Sequence, residues 1–163
     1  MKSLKIGIGS DHAGFAFKEA IKGKLQAEGH EVIDVGTQDE RPVATAPYAQ
    51  AVAEGLLDGK FERGILICGT GGGMSVSANR YPGIRAVLCF SPFTAEAARS
   101  HNDANILVLG SRTISLVQAL ELVDIFLSTP FAGGKYAERL KYLEAIERKV
   151  GEIVQEQSSG GKN

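Results

Sequence analysis

Residues 63–75 read RGILICGTGGGMS. After Arg63 every residue up to Cys68 is apolar or glycine, without alternation, the pattern of a strand covered on both faces. A glycine-dense loop follows at once: Gly69, Thr70, Gly71, Gly72 and Gly73. A short helix is expected from Gly73 to Arg80. Strand, loop and helix in that order are the repeating unit of a parallel α/β sheet. The same alternation extends in both directions. Upstream lie strand LKIGIG (4–9), helix FAFKEAIKGKLQAEG (15–29), with Phe17, Ile21 and Leu25 four apart on one face, and strand EVIDVG (31–36). A loop over 37–46 leads into a helix to about Asp58, with Pro47 in its first turn, where a missing N–H costs nothing. Downstream lie strand IRAVLC (84–89), a helix capped by Ser91 with Pro92 at N1 and ending near Ser100, and strand NILVLG (105–110). A helix over 115–128 and a long helix from about Lys135 complete the chain. The pattern describes one α/β domain over 1–154, in three layers, with a five-stranded mostly parallel sheet, helices on both faces and a long C-terminal helix. The polar stretch QEQSSGGKN (155–163) is expected to be a flexible tail.

Composition narrows the function classes. The 163 residues suit one domain with a full-sized core. A formal net charge of -1 gives no general attraction to nucleic acid or to an anionic membrane. No apolar run approaches the roughly 20 residues that span a bilayer, and MKSLKIGIGSDHAG reads as a strand rather than a signal peptide. Two cysteines without a CxxC are expected to be reduced thiols in a cytoplasmic protein. His12, His30 and His101 lack zinc-type spacing, so no metal is expected.

In folds of this class ligands sit beyond the C-terminal ends of the strands. That rule selects Ser10-Asp11-His12, Gly36 to Pro47, Cys68 to Gly73, Ser91, and Gly110 to Arg112. Cys68 is either a small buried hydrophobe or a thiolate held by backbone N–H groups. The glycine loop favours the second, because amides without Cβ atoms can approach an anion closely. Cys89 has no such loop and reads as a packing residue. Lysine does not follow Gly73, which excludes a Walker A loop. The dinucleotide fingerprint fails at its third glycine, occupied by Met74 or His12, although Asp34 sits where a ribose-binding acid would. Asp11 and His12 are either a cap and a surface imidazole or a proton-transfer pair. His101, Asn102 and Asp103 form a polar helix terminus or part of a site. Lys135 and Arg139, four apart after Gly133 and Gly134, are either a solvated helix face or a phosphate clamp, with Arg112 as a further candidate. His30 is expected on the surface.

SDHAG (10–14), GILICGTGGGMS (64–75), AN (78–79), PGIRAVLC (82–89), RSHNDANIL (99–107), GSR (110–112) and GGK (133–135) together resemble the ribose-5-phosphate isomerase B family, which includes the galactose-6-phosphate isomerase subunits. The resemblance is colinear over about residues 4–150. It implies a Rossmann-like fold, no cofactor, and a homodimer or dimer of dimers whose active sites are shared between subunits. It implies an aldose–ketose isomerase acting on a sugar phosphate through a cis-enediolate, most simply ribose 5-phosphate to ribulose 5-phosphate. By the same resemblance Cys68 is the general base and His101 the acid at ring opening. Asp11, His12 and Asn102 contact substrate. Gly69, Gly71, Gly72 and Gly73 form the anion hole with Thr70 as a hydroxyl donor, and Arg112, Lys135 and Arg139 bind phosphate. The chemistry agrees: proton transfer between C1 and C2 needs a base on one face of those carbons and fixed donors for the oxyanion.

The chain departs from the family pattern at substrate contacts. Ala44, Thr45 and Ala46 stand where the family usually has Asp-Tyr-Pro, Lys135 where arginine is usual, Tyr136 where histidine is usual, and Gly72 where a larger apolar residue is common. Lysine lacks the bidentate fork, so the expected phosphate grip differs. Allose 6-phosphate, galactose 6-phosphate and a tetrulose phosphate therefore stand as alternative substrates. A nucleotide-binding module and a non-catalytic subunit of a hetero-oligomer are the alternatives of a different class.

Overall fold

The five aliphatic runs become β1 (Lys5–Ser10), β2 (Glu31–Asp34), β3 (Arg63–Cys68), β4 (Ala86–Leu88) and β5 (Ile106–Gly110). The structure, a computed structural model, describes residues 2–160. The strands lie in the order β2-β1-β3-β5-β4, and all four pairings are parallel, so a sheet expected to be mostly parallel is wholly so. Six α-helices alternate with them: α1 (Phe15–Ala27), α2 (Ala46–Leu57), α3 (Gly72–Ala78), α4 (Pro92–Ser100), α5 (Leu116–Ser128) and α6 (Lys135–Gly160).

Alternation along each strand sorts the side chains onto two faces. Ile65 and Ile67 of β3 join Leu107 and Leu109 of β5 under α1, α4 and α5, where Ile21, Leu25, Leu122 and Phe126 are fully or almost fully buried. Leu66 and Cys68 point the other way, with Val108, and pack under α2 and α3 against Val52, Ala53, Met74 and Ala78. Both faces are therefore dry, which is why the strands read as unbroken apolar runs. Phe61 fills a gap left by two glycines: a Cβ at Gly7 or Gly55 would come within 2.4 and 2.1 Å of its ring.

The helix ends follow local chemistry. Ser91 and Ser115 each form a capping box, with Thr94 and Gln118. Pro47 lies in the first turn of α2, which starts at Ala46, one residue before the expected start. β4 is shorter than IRAVLC because it is an edge strand and the Arg85 N–H is taken by the Asn105 side chain at 2.8 Å. His30 is not on the surface: it is 7% exposed, and its Nδ1 accepts the Leu4 N–H at 3.1 Å, bridging the end of α1 to β1.

Contacts divide the chain into two units, Met1–Phe131 with the sheet and α1 to α5, and Ala132–Asn163 with α6. The stretch from 155, expected to be a flexible tail, continues α6 to Gly160, and residues 161–163 lie outside the described residues. None of the residues of α6 is buried. No helix among the described residues is long and apolar enough to cross a membrane.

Candidate active site

Strand order reverses between β1 and β3, since the chain runs from β1 outward to β2 on one side and to β3 on the other. In open parallel sheets the crevice beyond such a reversal is where ligands bind. Ser10 pairs with Ile67, so Asp11 and Cys68 are the next residues beyond that pair on neighbouring strands. The chain then turns over His12–Gly14, capped by Asp11, whose Oδ1 accepts from the N–H groups of Ala13 (3.0 Å) and Gly14 (3.3 Å). The turn is pressed onto β3: the Asp11 N–H donates to the Ile67 carbonyl at 3.3 Å, and a Cβ on Gly14 would sit 2.5 Å from that same oxygen.

Cys68 closes β3 with its side chain on the α2–α3 face and is 4% exposed. Its Sγ accepts the Gly71 N–H at 3.2 Å. That bond requires the chain to double back within three residues, and Gly71 does so at φ 81, where a Cβ would meet Leu88 Cδ1 at 2.4 Å. Only glycine satisfies both the conformation and the space. Thr70 is exposed, and its Oγ1 accepts the Gly72 N–H at 3.2 Å. Two amides of the expected anion hole are thus already bonded inside the loop, one to sulfur and one to a hydroxyl. Cys89 contrasts with Cys68: it lies in the other apolar cluster at 1% exposure, and burial pushes its thiol up to about 11.

A second loop closes over the first. The Asp11 Oδ2 accepts the Thr45 hydroxyl at 2.8 Å, and the Thr45 Cγ2 would lie 3.3 Å from a Cβ on Gly73. Thr45 therefore spans from Asp11 to the glycine loop. It occupies the cap position of α2 without a side-chain cap bond, because its hydroxyl is directed to the carboxylate instead. His12 holds the same loop through its Nδ1, which accepts the Val43 N–H at 3.1 Å. At the end of β5, the Ser111 hydroxyl donates to the Ala13 carbonyl at 2.7 Å and the Arg112 N–H to the Gly69 carbonyl at 2.8 Å. The Arg112 side chain folds over Gly69, with Nη1 3.4 Å from the position of a Cβ there. Thr45 and Ser111 both lie in loops that the strand-end rule selects, but their contacts with Asp11 and Ala13 were not foreseen, because neither pairing carries a local signal.

Asp34 is engaged elsewhere. Lys18 is completely buried and donates to Asp34 at 2.5 Å and Glu19 at 2.8 Å, and Lys22 donates to the same two carboxylates at 2.8 and 2.7 Å. Burial pushes the Asp34 carboxyl up, but the bonds from Lys18, Lys22 and the Gly36 N–H outweigh it and hold the group below its ordinary range. Gly36 packs on the Lys18 stem, where a Cβ would meet Cδ at 2.7 Å. The ion cluster therefore anchors the start of the loop that carries Val43 and Thr45.

His101 and Asn102 are not brought to this crevice within one chain. His101 caps α4, which has returned to the N-terminal rim of the sheet. Ile106, which follows shortly, pairs with Gly64, whereas Gly110 pairs with Cys68. Four residues at roughly 3.3 Å each put the two rims about 13 Å apart. Lys135 and Arg139 belong to the second unit, where their cations lie 5.2 and 5.5 Å from the centre of the Tyr136 ring. Among the described residues no group of three or more His, Cys, Asp or Glu side chains could hold a metal ion.

The model of the Ribose/Galactose Isomerase family matches residues 6–143. Ribose-5-phosphate isomerase B of Escherichia coli K12 is 43% identical over 145 residues, 89% of this chain and 97% of the relative. A 4-deoxy-4-sulfo-D-erythrose isomerase of Clostridium sp. MSTE9 is 41% identical over 151 residues, 92% of this chain and 95% of the relative. The solved structure of Clostridium thermocellum ribose-5-phosphate isomerase B superposes with a TM-score of 0.89 at 46% identity, covering 90% of this chain and 99% of that one.

Proposed function

The chain belongs to the ribose/galactose isomerase family of sugar-phosphate isomerases, and we propose that the reaction it catalyses is the interconversion of ribose 5-phosphate and ribulose 5-phosphate. The observation that carries the mechanism is the Gly71 N–H bonded to the Cys68 sulfur beside Asp11 at the sheet's reversal point. The bond fixes the sulfur at the head of the glycine loop, and a base must be held in place to meet one carbon of a bound sugar. In this reading Cys68 removes the proton from the carbon next to the carbonyl and returns it to the neighbouring carbon. The cis-enediolate between those steps carries its charge on oxygen. The loop from Gly69 to Gly73 and the Thr70 hydroxyl receive that charge. Asp11 and His12 bind sugar hydroxyls. Arg112, Lys135 and Arg139 hold the phosphate, which fixes the reacting carbons over the sulfur.

His101, as the acid at ring opening, and Asn102 come from a second copy of the chain in this reading. Three features support it: both residues lie on the far rim from Cys68, α6 carries an exposed stripe of Leu143, Ile146, Val150 and Ile153, and Phe90 and Phe93 are exposed on the first unit. Apolar positions spaced three and four apart form one helix face suited to burial against a partner. In this reading the protein is a homodimer or dimer of dimers and works in the cytoplasm.

A second reading is a different anionic sugar, such as an allose or galactose phosphate, a tetrulose phosphate or a sulfonated tetrose. Thr45 in the wall beside Asp11 favours it, together with the 41% identity to a sulfoerythrose isomerase. Phosphorylated aldoses of four to six carbons and 4-deoxy-4-sulfoerythrose, ranked by kcat/KM, decide between the two. Ribose 5-phosphate leading the series supports the proposal, and a lead of tenfold or more for another sugar overturns it. Cys68→Ala is expected to abolish exchange of the substrate's C2 proton with solvent while circular dichroism stays unchanged. Exchange at the wild-type rate would remove Cys68 from the role of base.

A further inference from the structure

The N-terminal rim of the sheet holds a cavity of about 360 Å³ remote in this chain from Cys68. Arg63 at the start of β3, Arg85 just before β4 and Arg99 near the end of α4 all line it, with Glu62, Asp103 and Asn105. Three guanidinium groups face two carboxylates, and those carboxylates are unequally available. Asp103 is shared: its Oδ1 accepts from Arg99 at 2.9 Å and its Oδ2 from Arg85 at 3.3 Å. Glu62 turns away, its Oε2 accepting the Lys5 N–H at 2.9 Å. Arg63 is left with one bond, to the Glu62 main-chain carbonyl at 2.7 Å, and forms no ion pair among the described residues.

Arg63 is thus a cation in a cavity wall beside two like charges. Burial and the Arg99 charge push its guanidinium down, Asp103 and Glu62 push it back up, and the net direction is below its ordinary range. Apolar side chains, among them Leu56, Leu57, Phe61 and Ile84, line the remainder with Gly83. A concave site of this size with a few convergent polar groups has the form of a small-ligand pocket. The arginine fork matches phosphate oxygens two at a time, and a guanidinium without a carboxylate partner offers its donors at little cost.

We infer that this rim cavity is a second anion site, in which Arg63, with Arg85 beside it, binds a phosphate group, either free or on a small monoester. Nothing in the proposed isomerase reaction uses it, so the site stands whether or not that reading holds. The apolar wall distinguishes the two sources: a monoester gains contacts there that inorganic phosphate cannot make.

Calorimetric titration of the whole protein tests the inference, with inorganic phosphate and with glycerol 3-phosphate as probes at constant ionic strength. Arg112→Gln weakens the phosphate grip proposed at the crevice and isolates the rim. Saturable binding is expected to persist in Arg112→Gln and to weaken about tenfold or more when Arg63→Gln is added to it, the loss typical of a charge-assisted bond. Arg63→Lys, which keeps the charge, is expected to retain part of the affinity and guards against a folding artefact in the glutamine variant. Tighter binding of glycerol 3-phosphate identifies a monoester site, and equal affinities identify a phosphate site. Binding by the Arg63→Gln/Arg112→Gln double variant equal to that of Arg112→Gln, heat that vanishes in Arg112→Gln, or heat reproduced by chloride at the same ionic strength would each overturn the inference.

Discussion

Replacement of Gly71 by alanine separates two costs that the structure keeps apart elsewhere. Gly71 lies at φ 81, and a non-glycine residue held there costs roughly 1–2 kcal/mol. The new Cβ would also stand 2.4 Å from Leu88 Cδ1 and 3.3 Å from Val108 Cγ1. Val108 is fully buried in the sheet and cannot retreat, whereas the end of Leu88 can turn aside, so overpacking adds about 1–3 kcal/mol. The total is about 2–5 kcal/mol. Gly29 provides the control: its φ is 88, and nothing lies within 4 Å of a Cβ there. Gly29→Ala is therefore expected to cost only the conformational part, roughly 1–2 kcal/mol. Urea denaturation at one protein concentration measures both. Gly71→Ala is also expected to lower kcat, because its N–H can no longer hold the Cys68 sulfur at 3.2 Å, while Gly29→Ala leaves kcat unchanged. Equal losses of stability for the two variants would refute the packing argument, and an unchanged kcat in Gly71→Ala would refute the link from this amide to the chemistry.

Thr45→Val keeps the shape of the side chain and removes the hydroxyl that Asp11 accepts at 2.8 Å, so a loss of about 1.5–3 kcal/mol is expected, with kcat/KM falling about tenfold or more. A variant with wild-type kcat/KM would place Thr45 outside the working site. Asp34→Asn leaves the fully buried Lys18 short of a counter-charge and is expected to cost about 3 kcal/mol at neutral pH by urea denaturation. The Asp34 carboxyl is depressed in the folded state, so its contribution is present above its ordinary value near 3.8 and is lost as pH falls below it. The acid limb of the stability curve should accordingly be shallower in Asp34→Asn than in wild type, and identical slopes would contradict the assignment. If sites are shared between subunits, mixing inactive Cys68→Ala with inactive His101→Ala after subunit exchange should restore about a quarter of wild-type activity, since half the dimers then carry one intact site. No recovery despite demonstrated exchange would place both residues within one chain's site.

Relatives in this family differ in the anion that their sugars carry, and the present chain differs from the family pattern at the residues that would feel it. Thr45 is the clearest case. Its hydroxyl secures Asp11 and its methyl group lies on the glycine loop. On the proposed reading Cys68 and His101 carry the proton transfers, so divergence here concerns which sugar is held more than which bond is made.

The order and type of the elements could be read along the chain, because apolar runs, capping serines and glycine stops act between residues a few positions apart. Strand β3 matched its expected bounds of 63–68, and the helix behind Ser91 began and ended where expected. The Asp11 and Cys68 edge was legible for the same reason: strand ends are local, and the ligand-binding edge follows from their polarity. Contacts across long separations were not. Thr45 meets Asp11 across 34 positions, Ser111 meets Ala13 across 98, and Lys18 meets Asp34 across 16. Each depends on strand register and on which face a crossover takes, and neither leaves a trace in neighbouring residues. The same holds for His101: its family motif names it, but only the antiparallel return of α4 shows that it leaves the Cys68 rim, because a helix reverses direction in space without changing anything in the pattern that encodes it.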